Sequence, residues 1–301
     1  MSSSVLQDVS NELSRIAEQV GSSVVAVHGR SRSRGSGIQW RKGAVVTAHH
    51  AFGRDEVTVV AEGGRSFAAK LAGRDPSTDL AVLSVAEDAV PSVAEHAKQN
   101  TVRLGNVVLA LGRSWRGNLV ASAGIVGGLG GELQTRGGGR LDQHIRLALD
   151  LYSGMSGGPL VSAEGQVIGI NTNGLDRGRP VMVPIATVDR VVNELLEKGH
   201  IARPHLGLAM QPVELPESLQ EKAKAGAGLL TVYVPPGSPA DKAGVLIGDI
   251  LIQLRGRSVD ELENLPALLR ESKIGDSVPA TFLRGGNLIT LNIVLGDRGA
   301  Q

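Results

Sequence analysis

"SGMSGGPLVSAEGQVIGINT", residues 153–172, places Ser156 between glycines, returns to apolar residues at Pro159-Leu160 and closes on the aliphatic run GQVIGINT. The serine alone decides nothing. A Gly-Ser-Gly-Gly cluster also suits a plain tight turn, and a hydroxyl needs a base and an orienting acid before it attacks anything. The run that follows is more telling, because it repeats along the chain. SVVAVHG (23–29), GAVVTAHHA (43–51), EVTVVAE (56–62), LAVLSV (80–85), NVVLALG (106–112) and HIRLALDL (144–151) are likewise short aliphatic runs bounded by glycine and polar turns. Evenly spaced short strands with no long helical period between them predict an all-β barrel or sandwich.

The pattern breaks at ATVDRVVNELLEKG (186–199). There Val188, Val191, Val192, Leu195 and Leu196 share one helical face and Gly199 supplies the stop. Beyond it the elements mix. GLLTVYV and DILIQLRG read as strands. SPADKAG reads as a short helix capped by Ser238, with Pro239 at its first position and Gly244 after its end. SVDELENLPALLRES reads as a helix made irregular by Pro266, and PATFLRGGNLITLNIVL as a hairpin turning at Arg284-Gly285-Gly286-Asn287. The expected organisation is an N-terminal helical segment (1–21), a β-rich domain (22–185), a linker helix (186–202) and a small α+β domain (203–298).

Composition narrows the function. A chain of 301 residues supports two or three cores, and with 2% aromatics those cores are aliphatic. The net charge of +1 argues against nucleic-acid binding, and the basic run RSRSR (30–34) reads as a solvated loop without interleaved aromatics. The absence of cysteine excludes disulfides, thiol nucleophiles and cysteine-metal sites. Seven histidines without ligand spacing predict no metal, and no cofactor motif is present. No apolar run is long enough to span a membrane. The N-terminus reads as an amphipathic helix (Val5, Leu6, Val9, Leu13, Ile16, Val20) and not as a signal peptide. The chain as written is expected in the cytoplasm, or in the periplasm if a leader has been removed. GGLGGELQTRGGGR (127–140) lacks the G-K-[ST] of a phosphate loop and reads as a mobile surface loop.

Three stretches carry chemistry together. VVTAHHAF (45–52) ends a strand in two histidines, DPSTDLAVLSV (75–85) delivers Asp79 at the start of a strand, and SGMSGGPL carries Ser156. A hydroxyl, an imidazole, a carboxylate and backbone N–H groups for the oxyanion are the requirements of acyl transfer. Here the N–H groups of Gly154 and Ser156 would form the hole, with that of Met155 between them.

The order His, Asp, Ser within T-x-x-H, D-x-x-T-D-L-A and G-x-S-G-G-P-L resembles the trypsin-like serine proteases of the HtrA/Deg family. So do GSGIQW (35–40), GQVIGINT and VMVPIATVDRVVNELLEKGHIARPHLGL (181–208), and the likeness covers nearly the whole chain from about residue 20. It implies a chymotrypsin-like double β-barrel followed by a PDZ domain. It also implies His50 as base, three residues after Thr47, with Asp79 as orienting acid and Ser156 as nucleophile. His49, Asp75 and Ser153 are then neighbours without a chemical role. Met155 stands where trypsin-like zymogens carry the aspartate that pairs with a newly cut N-terminus, so activation by such cleavage is not expected. Asp150 occupies the position of the trypsin specificity aspartate. It would make an acidic S1 pocket for basic side chains, or else pair with Arg146 or face solvent while the enzyme prefers small aliphatic residues. His205, Leu206, Gly207 and Leu208 resemble the PDZ carboxylate loop, and Leu265, Leu268 and Leu269 would wall its pocket or serve as core. The 127–140 stretch resembles a regulatory loop. The resemblance implies an ATP-independent endopeptidase acting on unfolded or damaged proteins, assembled as a trimer or larger. A catalytically silent chaperone or PDZ scaffold is the alternative, and an esterase with the same triad is a third reading.

Overall fold

The computed structural model describes residues 4–29, 34–51, 57–98, 102–135, 138–269 and 272–297. The chain forms two compact units, Met1–Ile201 and Ala202–Gln301.

The first unit opens with α1 (Val5–Gly21), capped by Ser4, whose side chain accepts from the Gln7 N–H at 3.2 Å. Six strands follow: β1 (Val24–His28), β2 (Arg34–Arg41), β3 (Ala44–Ala48), β4 (Val57–Val60), β5 (Ser66–Asp75) and β6 (Leu80–Ser84). They close into an antiparallel barrel in the order β1-β2-β3-β6-β5-β4. A second barrel closes in the order β11-β14-β13-β12-β7-β8. Its strands are β7 (Val107–Arg113), β8 (Leu119–Leu129), β11 (Ile145–Ala148), β12 (Pro159–Ser162), β13 (Val167–Asp176) and β14 (Arg179–Pro184).

The aliphatic runs of the sequence are continuous, not alternating, because both faces of the strands are covered. In β1, Val25 and Val27 join the cluster lined by Val45, Ala48 and Leu83, whereas Val24 joins a second cluster with Ile38, Leu111, Ile170 and Val188. α2 (Ile185–Lys198) belongs to that second cluster through Val188, Val191, Val192 and Leu195. Gly199 ends it in the left-handed region, at φ 77°, with its N–H on the Leu195 carbonyl. Asp189 of α2 accepts from the Trp40 indole at 2.8 Å, which fixes the helix on β2.

The 127–140 stretch is not the open loop that its glycines suggest. β8 runs on through Leu129, and β9 (Leu133–Gln134) pairs with β10 (Arg140–Leu141). Residues 136 and 137 of this stretch lie outside the described residues.

In the second unit β15 (Pro204–His205) pairs with β22 (Gly296–Asp297). The main sheet has the order β16-β17-β18-β20-β21, with the short β19 (Arg257–Ser258) on β18. Its strands are β16 (Ala209–Glu214), β17 (Ala227–Tyr233), β18 (Ile250–Leu254), β20 (Ser277–Arg284) and β21 (Asn287–Val294). α3 (Glu217–Ala223) and α4 (Pro239–Lys242) flank the sheet, and α4 is capped by Ser238 as the sequence predicts. The expected single helix over 258–272 is instead a 3-10 turn (Leu262–Asn264) continued by α5 (Leu265–Leu269). Pro266 has no N–H to donate, so it is tolerated only in the first turn of an α-helix.

Candidate active site

Asp79 sits at the head of β6 with φ 55°, a conformation unusual for a residue with a side chain. The turn before it is built by Asp75, whose carboxylate accepts from the Ser77 N–H at 3.1 Å, Ser77 Oγ at 2.7 Å and Thr78 Oγ1 at 2.8 Å. Asp75 is therefore a turn residue, and Asp79 is the carboxylate that meets His50. Asp79 is 4% exposed and accepts three hydrogen bonds. The His50 N–H lies at 3.0 Å from Oδ1, His50 Nδ1 lies at 2.7 Å from Oδ2, and the Thr172 hydroxyl donates to Oδ2. With Nδ1–H held by the carboxylate, Nε2 is the basic nitrogen of a neutral imidazole. The hydrogen bond to Asp79 raises the His50 pKa above its ordinary 6.5, against an opposing desolvation.

His49 shares the short 3-10 turn His49–Ala51 but behaves oppositely. Its N–H donates to the Asp79 carbonyl, its Nδ1 is buried without a partner, and burial lowers its pKa.

Ser156 is 6% exposed, and its Oγ donates to Asn173 Oδ1 at 3.0 Å. The structure thus pairs His50 with Asp79 and places the Ser156 hydroxyl on Asn173. The loop carrying Ser156 is clamped from β2. Ser36 donates its N–H to the Ser156 carbonyl at 2.9 Å and its hydroxyl to the Gly154 carbonyl at 2.6 Å. Gly157, at φ 89°, lets the loop lie against β2 and β3, since a Cβ there would collide with the Ser36 carbonyl and the Ala48 N–H.

Among the described residues the N–H groups of Gly154 and Ser156 donate to no carbonyl, and the space beside Gly154 is open. The Met155 N–H, expected between them, is instead bonded to the Tyr152 carbonyl at 3.0 Å. That is a correction: a donor used inside its own turn is withdrawn from an incoming oxyanion. The Met155 side chain is 2% exposed and packs with Leu147, Leu160 and Met182 inside the second barrel. Apolar burial anchors the loop at the point where zymogens use an ion pair. Asp150 is exposed and has no ion pair with Arg146 among the described residues; Ser153 is an exposed loop hydroxyl.

Thr172, Asn173, Gly174 and Ser36 are the site residues that sequence reasoning missed. Each lies within or beside a stretch that reads simply as strand. A Cβ at Gly174 would stand 2.6 Å from Asp79 Oδ2 and 2.7 Å from His50 Nδ1, so this position backs directly onto the carboxylate–imidazole pair.

In the second unit the N–H groups of Leu206, Gly207 and Leu208 donate to nothing among the described residues, and Gly207 has φ 73°. Leu206 is buried and both ring nitrogens of His205 are buried without partners. Leu269 belongs to the core, with Leu265 and Leu268 packed at its margin beside Leu208 and Met210. No group of histidine, aspartate and glutamate side chains among the described residues could hold a metal ion.

Comparisons with known proteins find two matching domain families and several relatives. Residues 35–170 match the trypsin-like peptidase domain family and residues 204–295 the PDZ domain family. The chain is 32% identical over 284 residues to the serine protease Do-like HtrA of Lactobacillus helveticus, covering 87% of this chain and 68% of that one. It is 32% identical over 276 residues to a probable periplasmic serine endoprotease DegP-like of Rhizobium meliloti, covering 89% of this chain and 54% of that one. It thus spans about two thirds of the first and about half of the second. The crystal structure of the serine endoprotease from Yersinia pestis superposes with a TM-score of 0.66 at 26% identity, covering 95% of this chain and 97% of that one. The chain belongs to the HtrA/Deg family of trypsin-like serine proteases with one PDZ domain in the sequence given.

Proposed function

We propose that the protein is an ATP-independent serine endopeptidase that cleaves unfolded or damaged proteins. The observation that carries this reading is the 2.7 Å contact between His50 Nδ1 and Asp79 beside a serine flanked by two free N–H donors. Ser156 Oγ turns from Asn173 to His50 Nε2, gives up its proton there and bonds to the peptide carbonyl carbon. The carbonyl oxygen takes the negative charge and is held by the N–H groups of Gly154 and Ser156. The C–N bond breaks as imidazolium His50 protonates the departing amine, leaving an acyl ester on Ser156. Water, deprotonated by His50, then releases the acid and restores the serine. Asp79 holds the imidazole and stabilises its charged form throughout.

The free N–H groups of Leu206, Gly207 and Leu208 suit the terminal carboxylate of a peptide, which would add as a strand along β16, an edge of its sheet. Assembly as a trimer or larger is part of the proposal. It is supported by the exposed apolar residues Val5, Leu6 and Val9 at the start of α1, at 79%, 81% and 49% exposure. No helix among the described residues is long and apolar enough to cross a membrane. An extracytoplasmic setting is favoured over the cytoplasm by the relative described as periplasmic.

Fluorophosphonate labelling tests the central claim. Labelling of the wild type that disappears in Ser156→Ala supports an activated serine, with casein degradation to follow. The bond from Ser156 to Asn173 favours a second reading, a catalytically silent chaperone or scaffold. Absence of labelling, with or without a C-terminal hydrophobic peptide, would mean that the hole or triad is not formed and would put that reading ahead. For the residue before the cut, exposed Asp150 suits a basic side chain, and a Lys-against-Val peptide series decides. Equal cleavage or a Val preference rules out the acidic pocket.

A further inference from the structure

We propose that Arg34, Trp115 and Arg116 form a cationic subsite for acidic side chains of the substrate segment that follows the scissile bond. The proposal deepens the endopeptidase reading and rests on it. Trp115 is 53% exposed. The Arg34 guanidinium carbon lies 5.8 Å from its ring centroid and that of Arg116 lies 4.7 Å away. Both arginines are exposed, and among the described residues neither guanidinium group has an ion pair or hydrogen bond. Two like charges gather on one indole because the ring face attracts each. Their N–H forks stay open for carboxylates, which guanidinium binds in bidentate fashion. With a net charge of +1 for the whole chain, this concentration is local.

The position gives the cluster its role. Arg34 begins β2 and is followed by Gly35, where a Cβ would stand 3.2 Å from the Ser156 carbonyl oxygen and would run into Ala51, the last residue of the His50 turn. Trp115 and Arg116 occupy the tight turn after β7, closed by the Gly117 N–H on the Ser114 carbonyl at 2.8 Å. Buried Arg113 braces that turn. Its Nη1 donates to the Gly117 carbonyl at 2.6 Å, and its N–H donates to Ser36 Oγ at 2.9 Å. The same short network therefore holds both the nucleophile loop and the turn bearing the cations, and a surface held before binding loses less on ordering.

Sidedness follows from the imidazole. His50 Nδ1 faces Asp79 and Gly174, so the departing amine must meet Nε2. The start of β2 packs on Ala51 and on the Ser156 carbonyl, whereas Asn173 and Gly174 of β13 meet the Ser156 hydroxyl and the Asp79–His50 pair. In the proposal the departing chain leaves over the start of β2.

The test is digestion of a random-sequence peptide library by the full chain, with cleavage sites mapped by mass spectrometry and rates normalised to active sites counted with fluorophosphonate. The wild type is expected to favour Asp and Glu over Lys and Arg by about fivefold within the first residues after the cut, the scale of an exposed ion pair. The preference should weaken as salt shortens the screening length. It should vanish in Arg34→Gln/Arg116→Gln and invert in Arg34→Glu/Arg116→Glu. These are exposed positions, and unchanged melting would show that the fold is kept. Labelled, cleaving enzyme with no charge preference, or with one untouched by either double variant, overturns the subsite and leaves the endopeptidase reading standing. A wild type that neither labels nor cleaves overturns both.

Discussion

At the scale of single residues, the site is a competition for protons. Ser156 shares its hydroxyl proton with Asn173, and any enzyme that uses this serine must move it to His50. Asn173→Ala removes the competing acceptor. It should speed fluorophosphonate labelling several-fold without shifting the pH profile, and slower labelling would mean that Asn173 helps to place the nucleophile. The pH dependence has a definite sign. Hydrogen bonding to Asp79 raises the His50 pKa above 6.5, and the base works only when neutral. Activity should therefore rise with pH along a limb centred above 6.5. The stability contributed by the same contact runs the other way: complete below the unfolded imidazole value, it is lost as pH climbs through the folded one. An activity limb centred below 6.5 would contradict the pairing. Gly174→Ala puts a methyl within 2.7 Å of both partners and should lower kcat by about a hundredfold or more with little change in melting, because misplacement near 1 Å costs about that much.

At the scale of elements, strands and turns serve the site by holding it from both barrels. β2 reaches across to the Ser156 loop through Ser36, whose hydroxyl bonds the Gly154 carbonyl from 118 positions away in sequence. Ser36→Ala leaves the buried Arg113 N–H and the partly buried Gly154 carbonyl without their partner and should cost about 1–3 kcal/mol, read by urea denaturation, together with slower labelling. α2 is the second brace. Leu195→Ala should destabilise the first unit by about 2–5 kcal/mol, since this side chain is 1% exposed in the cluster that joins helix and strands. Much of this layer is legible in sequence. The aliphatic runs mark β1, β3, β4, β6, β7 and β13, Gly199 marks the end of α2, and Gly285-Gly286, with φ of 55° and 78°, marks the hairpin of β20 and β21. β5, β8 and β14 are harder to read. SFAAKLAGRD mixes charge with small residues, LVASAGIVGGL carries the glycines of a loop, and RPVMVP begins in a turn. Pairing with neighbours made them strands, overriding weak local preference.

At the scale of the molecule, two units carry separate cores. Phe282, fully buried among Leu229, Leu251 and Ile293, belongs wholly to the second. Phe282→Ala should cost that unit about 3–5 kcal/mol and abolish binding of C-terminal peptides, measured by calorimetry, while Ser156 still labels. Loss of labelling would show that the first unit depends on the second. The sequence by itself determined the order of His50, Asp79 and Ser156, the short-strand pattern and the capped helices. These are local features set by side-chain type, glycine and proline over a few residues. Only the tertiary structure decided the contacts. Thr172 reaches Asp79 from 93 positions away, Asn173 takes the Ser156 hydroxyl, and Ser36 reaches the Gly154 carbonyl from 118 positions away. Hydrogen bonds and ring contacts depend on ångström-scale distances, and barrel closure sets these distances between segments that spacing along the chain leaves unrelated.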